Sequence, residues 1–239
     1  AADVAFFPAA YYVDINHDGI KDLLVSPNNQ NNAENFKSSW AFLNVGSNTL
    51  PDFNFLKEDF LQDEMIDLGE GSYPAFFDHN NDNLLDLVVG NYGYFNSNGN
   101  PSSSLALFEN SGTNTNPIFT LIDRDWQNIS SINLNVNLNI PALNLYPAFG
   151  DLDGDGDKDL ILGDADGRLH LLSNDGANPP SFNISTPNYS QIDVGYFATP
   201  QLIDVNRDGL LDLIIGEQLG TINYLPNSGT QSTAVFDTI

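Results

Sequence analysis

Residues 147–163 read Pro147-Ala-Phe-Gly-Asp-Leu-Asp-Gly-Asp-Gly-Asp-Lys-Asp-Leu-Ile-Leu-Gly163. Aspartates fall at every second position from Asp151 to Asp159, between two short apolar runs. Runs this short, bounded by Pro or Gly, read as strands, and an Asp/Gly-rich link between them reads as a hairpin turn. No stretch of ten or more residues holds a 3.6-residue apolar period, so the chain reads as all-β.

The same pattern returns three more times. It appears as Tyr11-Tyr-Val-Asp-Ile-Asn-His-Asp-Gly-Ile-Lys-Asp-Leu-Leu-Val25 and Pro74-Ala-Phe-Phe-Asp-His-Asn-Asn-Asp-Asn-Leu-Leu-Asp-Leu-Val-Val-Gly90. The last copy is Pro200-Gln-Leu-Ile-Asp-Val-Asn-Arg-Asp-Gly-Leu-Leu-Asp-Leu-Ile-Ile-Gly216. Each is followed by a second run ending in Asn-x-Gly (Asn44, Asn110, Asn174, Asn227) and then by an aromatic run such as Pro51–Phe55, Pro117–Phe119, Ser181–Ile184 or Val235-Phe236. A four-strand unit of about 60 residues has the proportions of a propeller blade. The expected architecture is one β-propeller-type domain or propeller segment over 1–239, with four four-stranded blades at about 1–65, 66–140, 141–191 and 192–239.

Counting from the leading Asp, loop positions one, three, five and nine are Asp or Asn, and position six is Gly, or Asn at Asn83. Hard cations such as Ca²⁺ take six to eight oxygen ligands, and alternate residues in a tight turn aim side chains to one side. Position six calls for the left-handed conformation that Gly and Asn accept. The expected ligands are Asp14, Asn16, Asp18, Ile20 and Asp22, then Asp78, Asn80, Asp82, Leu84 and Asp86. The third and fourth sets are Asp151, Asp153, Asp155, Asp157 and Asp159, then Asp204, Asn206, Asp208, Leu210 and Asp212, with position seven acting through its carbonyl. An EF-hand needs a glutamate at position twelve and flanking helices. Position twelve here is Val25, Val89, Leu162 or Ile215, inside apolar runs, so the loop joins strands. His17 and His79 stand at positions four and two and read as exposed loop residues, which leaves Zn²⁺ without a ligand set.

The loop, with the preceding Pro-Ala-Phe and the following Asp-Leu-Ile-Leu-Gly, resembles the FG-GAP/VCBS repeat of integrin α-subunit propellers and of bacterial surface proteins. The resemblance implies a propeller with calcium in the hairpin between the first two strands of each blade, up to four structural ions in all. It implies an extracellular or surface-attached interaction module, acting in adhesion or protein–protein contact. Two features depart from the family: four copies stand where seven blades are usual, and Pro8 lies two residues too early in the first.

Composition agrees. The chain holds 32 acidic against 7 basic residues, a net charge of −25, which repels nucleic acid and anionic membranes and favours cations. With no cysteine there is no disulfide framework and no thiolate metal site. No apolar run reaches the length of a membrane span, and Ala1-Ala2-Asp3 does not open a signal peptide. Neither a nucleophile motif nor an isolated carboxylate pair suggests an enzyme.

The connections at 26–39 and 91–104 are long and carry Phe36, Trp40, Tyr92, Tyr94 and Phe95 among amides, whereas 164–168 and 217–220 are short. Aromatics beside amides suit a protein or glycan ligand, so Trp40, Tyr92, Tyr94 and Phe95 are the expected partner-binding residues. The alternatives are a lectin-like propeller and a non-catalytic accessory domain of a carbohydrate-active enzyme. Ile132–Ile140 alternates apolar residues with Asn and reads as a strand able to pair with another chain.

Overall fold

A computed structural model of the chain describes residues 9–26, 37–63, 65–94, 102–132, 134 and 143–238. The chain divides into two compact units, Ala1–Asp67 and Leu68–Ile239.

The first unit holds one antiparallel sheet in the order β1 (Ala9–Val13), β2 (Asp22–Ser26), β3 (Trp40–Asn44) and β4 (Phe53–Lys57). β1 is exposed along its whole length, while β3 buries Ala41 and Phe42.

The second unit holds three sheets. The second sheet runs β5 (Tyr73–Phe77), β6 (Asp86–Gly90), β7 (Leu105–Asn110) and β8 (Phe119–Asp123). The third runs β9 (Tyr146–Gly150), β10 (Asp159–Gly163), β11 (Leu169–Asn174) and β12 (Phe182–Thr186). The fourth runs β13 (Thr199–Ile203), β14 (Asp212–Gly216) and β15 (Ile222–Leu225). All pairings are antiparallel meanders, and β3, β7 and β11 share a register shift at the same place, before Phe42, Phe108 and Leu172. The four-strand blade expected from the repeat therefore forms three times. In the fourth copy Val235 and Phe236 lie beside the Asn227 turn without forming a strand, and Ala234 donates to the Leu152 carbonyl at 3.1 Å.

Within residues 68–239 the sheets stack face to face, with β9 packed between β5 and β13. Alternation along a strand sends successive side chains to opposite neighbours. Leu160 and Leu162 of β10 join a core with Phe77, Val88, Leu105 and Leu107 of the second sheet. Ile161, between them, joins a core with Leu213, Ile215 and Leu225 of the fourth. Every residue of β10 is buried, and each of its aliphatic side chains contributes roughly 1.5–3 kcal/mol. Phe77 stacks on Phe149, with ring centroids 4.6 Å apart, and Trp126 and Phe182 close the same cluster.

Two short 3-10 segments, Trp126–Ser131 and Tyr189–Gln191, lead from one sheet to the next. Of the expected Ile132–Ile140 strand only Ile132 and Leu134 are described, with Leu134 buried in the Trp126 core; the rest lies outside the described residues.

Candidate metal centre

All four loops share the hydrogen bonds from the position-six amide to the leading Asp and from the position-seven amide to the position-five Asp, which follow from the spacing of their carboxylates. The leading Asp accepts from amides further along its own loop: Asp14 from Asp18 and Gly19, Asp78 from Asp82 and Asn83, Asp151 from Gly154 and Gly156, and Asp204 from Arg207, Asp208 and Gly209. The position-five carboxylate accepts from the position-seven amide, at 2.7 Å for Ile20 and Leu84 and 2.9 Å for Asp157 and Leu210. Position seven, expected to act through its carbonyl, is thus tied down through its N–H.

Position six is left-handed as expected, with φ of 86° at Gly19, 69° at Asn83, 97° at Gly156 and 89° at Gly209. Position four is left-handed too, at His17, Asn81, Gly154 and Arg207. A histidine and an arginine in that region carry a steric cost of roughly 1–2 kcal/mol, and nothing in their side chains announces it. His79 is not the exposed residue expected. It is half-buried, edge-on to Trp126 at 5.7 Å.

The position-nine aspartates tie each loop to its own blade. Asp22, Asp86, Asp159 and Asp212 are buried. One oxygen of each accepts from the position-two amide (Ile15, His79, Leu152, Val205). The other accepts from the amide of Asn44, Asn110, Asn174 or Asn227 in the Asn-x-Gly turn. Those asparagines reciprocate, their Nδ2 donating to the carbonyls of Lys21, Leu85, Lys158 and Leu211. Position nine therefore locks the loop to the third strand, and both its oxygens are already engaged by amides.

The loops differ at position three. Asn16, Asn80 and Asn206 donate an amide hydrogen to the position-five carboxylate at 2.9, 3.0 and 2.9 Å, which shields it. Asp153 has no such hydrogen. Asp151, Asp153 and Asp155 each bring a carboxylate oxygen within 4.8 Å of the others, the one such triad of acidic or imidazole groups among the described residues. No Lys or Arg forms a salt bridge with a loop carboxylate among the described residues. Asp159 registers the crowding. Burial raises its pKa and the Asp153 and Asp155 charges add to that, against the Asn174 and Leu152 amides. At Asp212, burial also raises the pKa, but amides of Asn227, Val205 and Asn206 and the Tyr224 hydroxyl carry it below the ordinary value. An all-oxygen, negatively charged triad, with Asp153 and Asp155 exposed and Asp151 half-buried, fits a hard divalent cation such as Ca²⁺.

Residues 151–215 match the family model of the FG-GAP-like repeat. The match runs from the leading Asp of the third loop to Ile215 within β14, so it covers the acidic triad and the whole fourth loop. No curated protein matches the chain. Residues 151–215 are thus similar to an FG-GAP-like repeat, and the sheets around them are blade-like.

The loops stand side by side in the second unit. Asp78 and Asp157 line one cleft of about 150 Å³, and Asp151 and Leu210 line another of about 300 Å³. Of the aromatic residues expected to bind a partner, Trp40 belongs to the first unit and Tyr92 and Tyr94 to the second. Trp40 is half-buried in β3, with its indole donating to the Lys37 carbonyl at 3.0 Å and its ring edge-on to Phe55. It belongs to the blade. Tyr92 and Tyr94 are half-buried, held by main-chain bonds to Glu70 and Ser102, and Phe95 lies outside the described residues.

Proposed function

We propose that this chain is an extracellular or surface-attached interaction module whose FG-GAP-like hairpins hold structural Ca²⁺. The observation that carries the reading is the Asp151–Asp153–Asp155 triad, set in a loop whose backbone geometry recurs four times. Asp151, Asp153 and Asp155 would hold the ion in the third loop, and the equivalent Asp and Asn side chains in the others. A bound cation offsets the repulsion between carboxylates that the fold brings together. The role is binding rather than catalysis: the loops are scaffold, and a protein partner is engaged by the surfaces they fix.

Isothermal titration with calcium tests the reading. Micromolar-to-millimolar binding is the expected result, with the third-loop site weakened at least about tenfold by Asp155→Ala, which removes one carboxylate of the triad. Heat signals indistinguishable from buffer would discard the calcium reading while leaving the repeat fold intact.

A further inference from the structure

We propose that Tyr73 and Tyr146 form a modification site, at which a one-electron oxidant joins the second and third sheets through a dityrosine bond. Each residue opens the first strand of its sheet, Tyr73 in β5 and Tyr146 in β9, immediately before a proline. Their ring centroids lie 3.9 Å apart, with the planes tilted by 36°. Aromatic pairs ordinarily keep their centroids about 4.5–7 Å apart, so this pair is unusually close. It is the one contact between two tyrosine rings among the described residues. Both residues are half-buried and keep some exposure, which admits a small oxidant.

The two hydroxyls meet on one side chain. Tyr73 Oη donates to Asn144 Oδ1 at 2.7 Å, and Asn144 Nδ2 donates to Tyr146 Oη at 3.0 Å. Asn144 is 3% exposed, and its own amide donates to the Ser103 hydroxyl at 2.9 Å, which fixes the bridge in place. A single carboxamide thus holds both hydroxyl ends together. The ortho carbons flank those hydroxyls, and they are the carbons through which tyrosyl radicals couple.

Backbone packing enforces the approach. Tyr73 pairs with Gly90 across β5 and β6. A Cβ on Gly90 would collide with the Leu145 carbonyl oxygen and with Pro147 Cδ, on either side of Tyr146. A Cβ on Gly71, where φ is 68°, would fall 2.5 Å from Tyr73 Oη. Glycine at both positions leaves the rings room to lie together.

The reaction needs nothing from the protein beyond the two phenols. Each gives one electron to the oxidant and its hydroxyl proton to water, leaving a phenoxyl radical. The unpaired electrons then combine in a new bond between the ortho carbons. Each ring moves its ortho hydrogen to its oxygen as a proton and is a phenol again. The chain loses two electrons and two protons in all. With no cysteine, it has no disulfide to tie one sheet to another, and this pair supplies a covalent tie of a different kind.

Photo-oxidation of the 239-residue chain with a ruthenium tris-bipyridyl complex and persulfate, at several protein concentrations, tests this. Persulfate accepts the two electrons as it splits into two sulfates. The expected product is a chain still near 26.1 kDa, lighter by two hydrogens, with dityrosine fluorescence and a peptide joining Tyr73 to Tyr146. Its fractional yield is independent of protein concentration, and Tyr73→Phe and Tyr146→Phe each abolish it. Circular dichroism confirms that both variants fold, since phenylalanine keeps the ring. A cross-link that forms only between chains, or one within the chain that survives both substitutions, overturns the proposal. So does a reaction that oxidises the exposed Tyr196 and leaves Tyr73 and Tyr146 intact.

Discussion

Asp86 and Asn110 together satisfy five backbone groups. The carboxylate takes the amides of His79 and Asn110, and the asparagine takes those of Gly112 and Ile118 while donating to the Leu85 carbonyl. Asn110→Ala removes three of these bonds from a buried position, so a loss of about 3 kcal/mol is expected in urea denaturation. Two further acids, the exposed Asp175 and the half-buried Glu217, make a milder version of the same bracket. Asp175 accepts from Ala177 and Ser181, both at 3.0 Å, and Glu217 from Leu219 and Thr221 at 2.8 and 2.9 Å. These amides hold both carboxyls below their ordinary values. A depressed folded-state pKa means the stabilisation is full above the unfolded-state value and is lost as pH falls through the folded one. The stability difference between wild type and Asp175→Asn should therefore be present at neutral pH and vanish in acid. An equal difference at both ends of the titration would assign it to something other than the charge.

At the scale of the element, the hairpin loop and the strand end answer to different neighbours. The loop is closed by its own side chains, so its shape recurs whether position four is His, Asn, Gly or Arg. The strand end depends on the sheet beside it. Gly163→Ala drives a methyl into the Ala198 carbonyl and should cost about 1–3 kcal/mol. Gly216→Ala meets a hydroxyl that can rotate away, so its effect on unfolding should be within about 0.5 kcal/mol. Comparable losses from the two substitutions would show that the glycines serve strand conformation rather than close approach.

At the scale of the whole molecule, the stacked interfaces within residues 68–239 contribute stability, and on the proposed function bound ions add to it. Leu162 sits at the centre of the interface between the second and third sheets with no exposed surface, and Leu162→Ala should cost about 2–5 kcal/mol. On the proposed function, an extracellular site with a Kd of about 0.1 mM adds roughly 1.4 kcal/mol at about 1 mM calcium. Four filled loops would then add about 5–6 kcal/mol, comparable with the stability of a whole domain. Chelation should lower the melting temperature by many degrees in wild type, and by less in Asp151→Ala. A melting curve that EDTA leaves unmoved would mean that the ions, if bound, hold nothing together.

The amino-acid sequence by itself determined the strands, the hairpins and the repeat, because these rest on interactions a few residues apart: apolar alternation, turn chemistry, and carboxylates within reach of their own loop amides. It placed position six in the left-handed region because Gly and Asn advertise it. It could not place His17 or Arg207 there, since their conformation is imposed by loop closure. Only the tertiary structure assigned position nine to the lock with Asn44, Asn110, Asn174 and Asn227, whose partners lie 15 to 24 residues away. It also drew Trp40 into a blade, set His79 against Trp126, and left the fourth sheet with three strands and Ile222 exposed. Those outcomes depend on which surface meets which, and side-chain periodicity records that a face is apolar without naming what covers it.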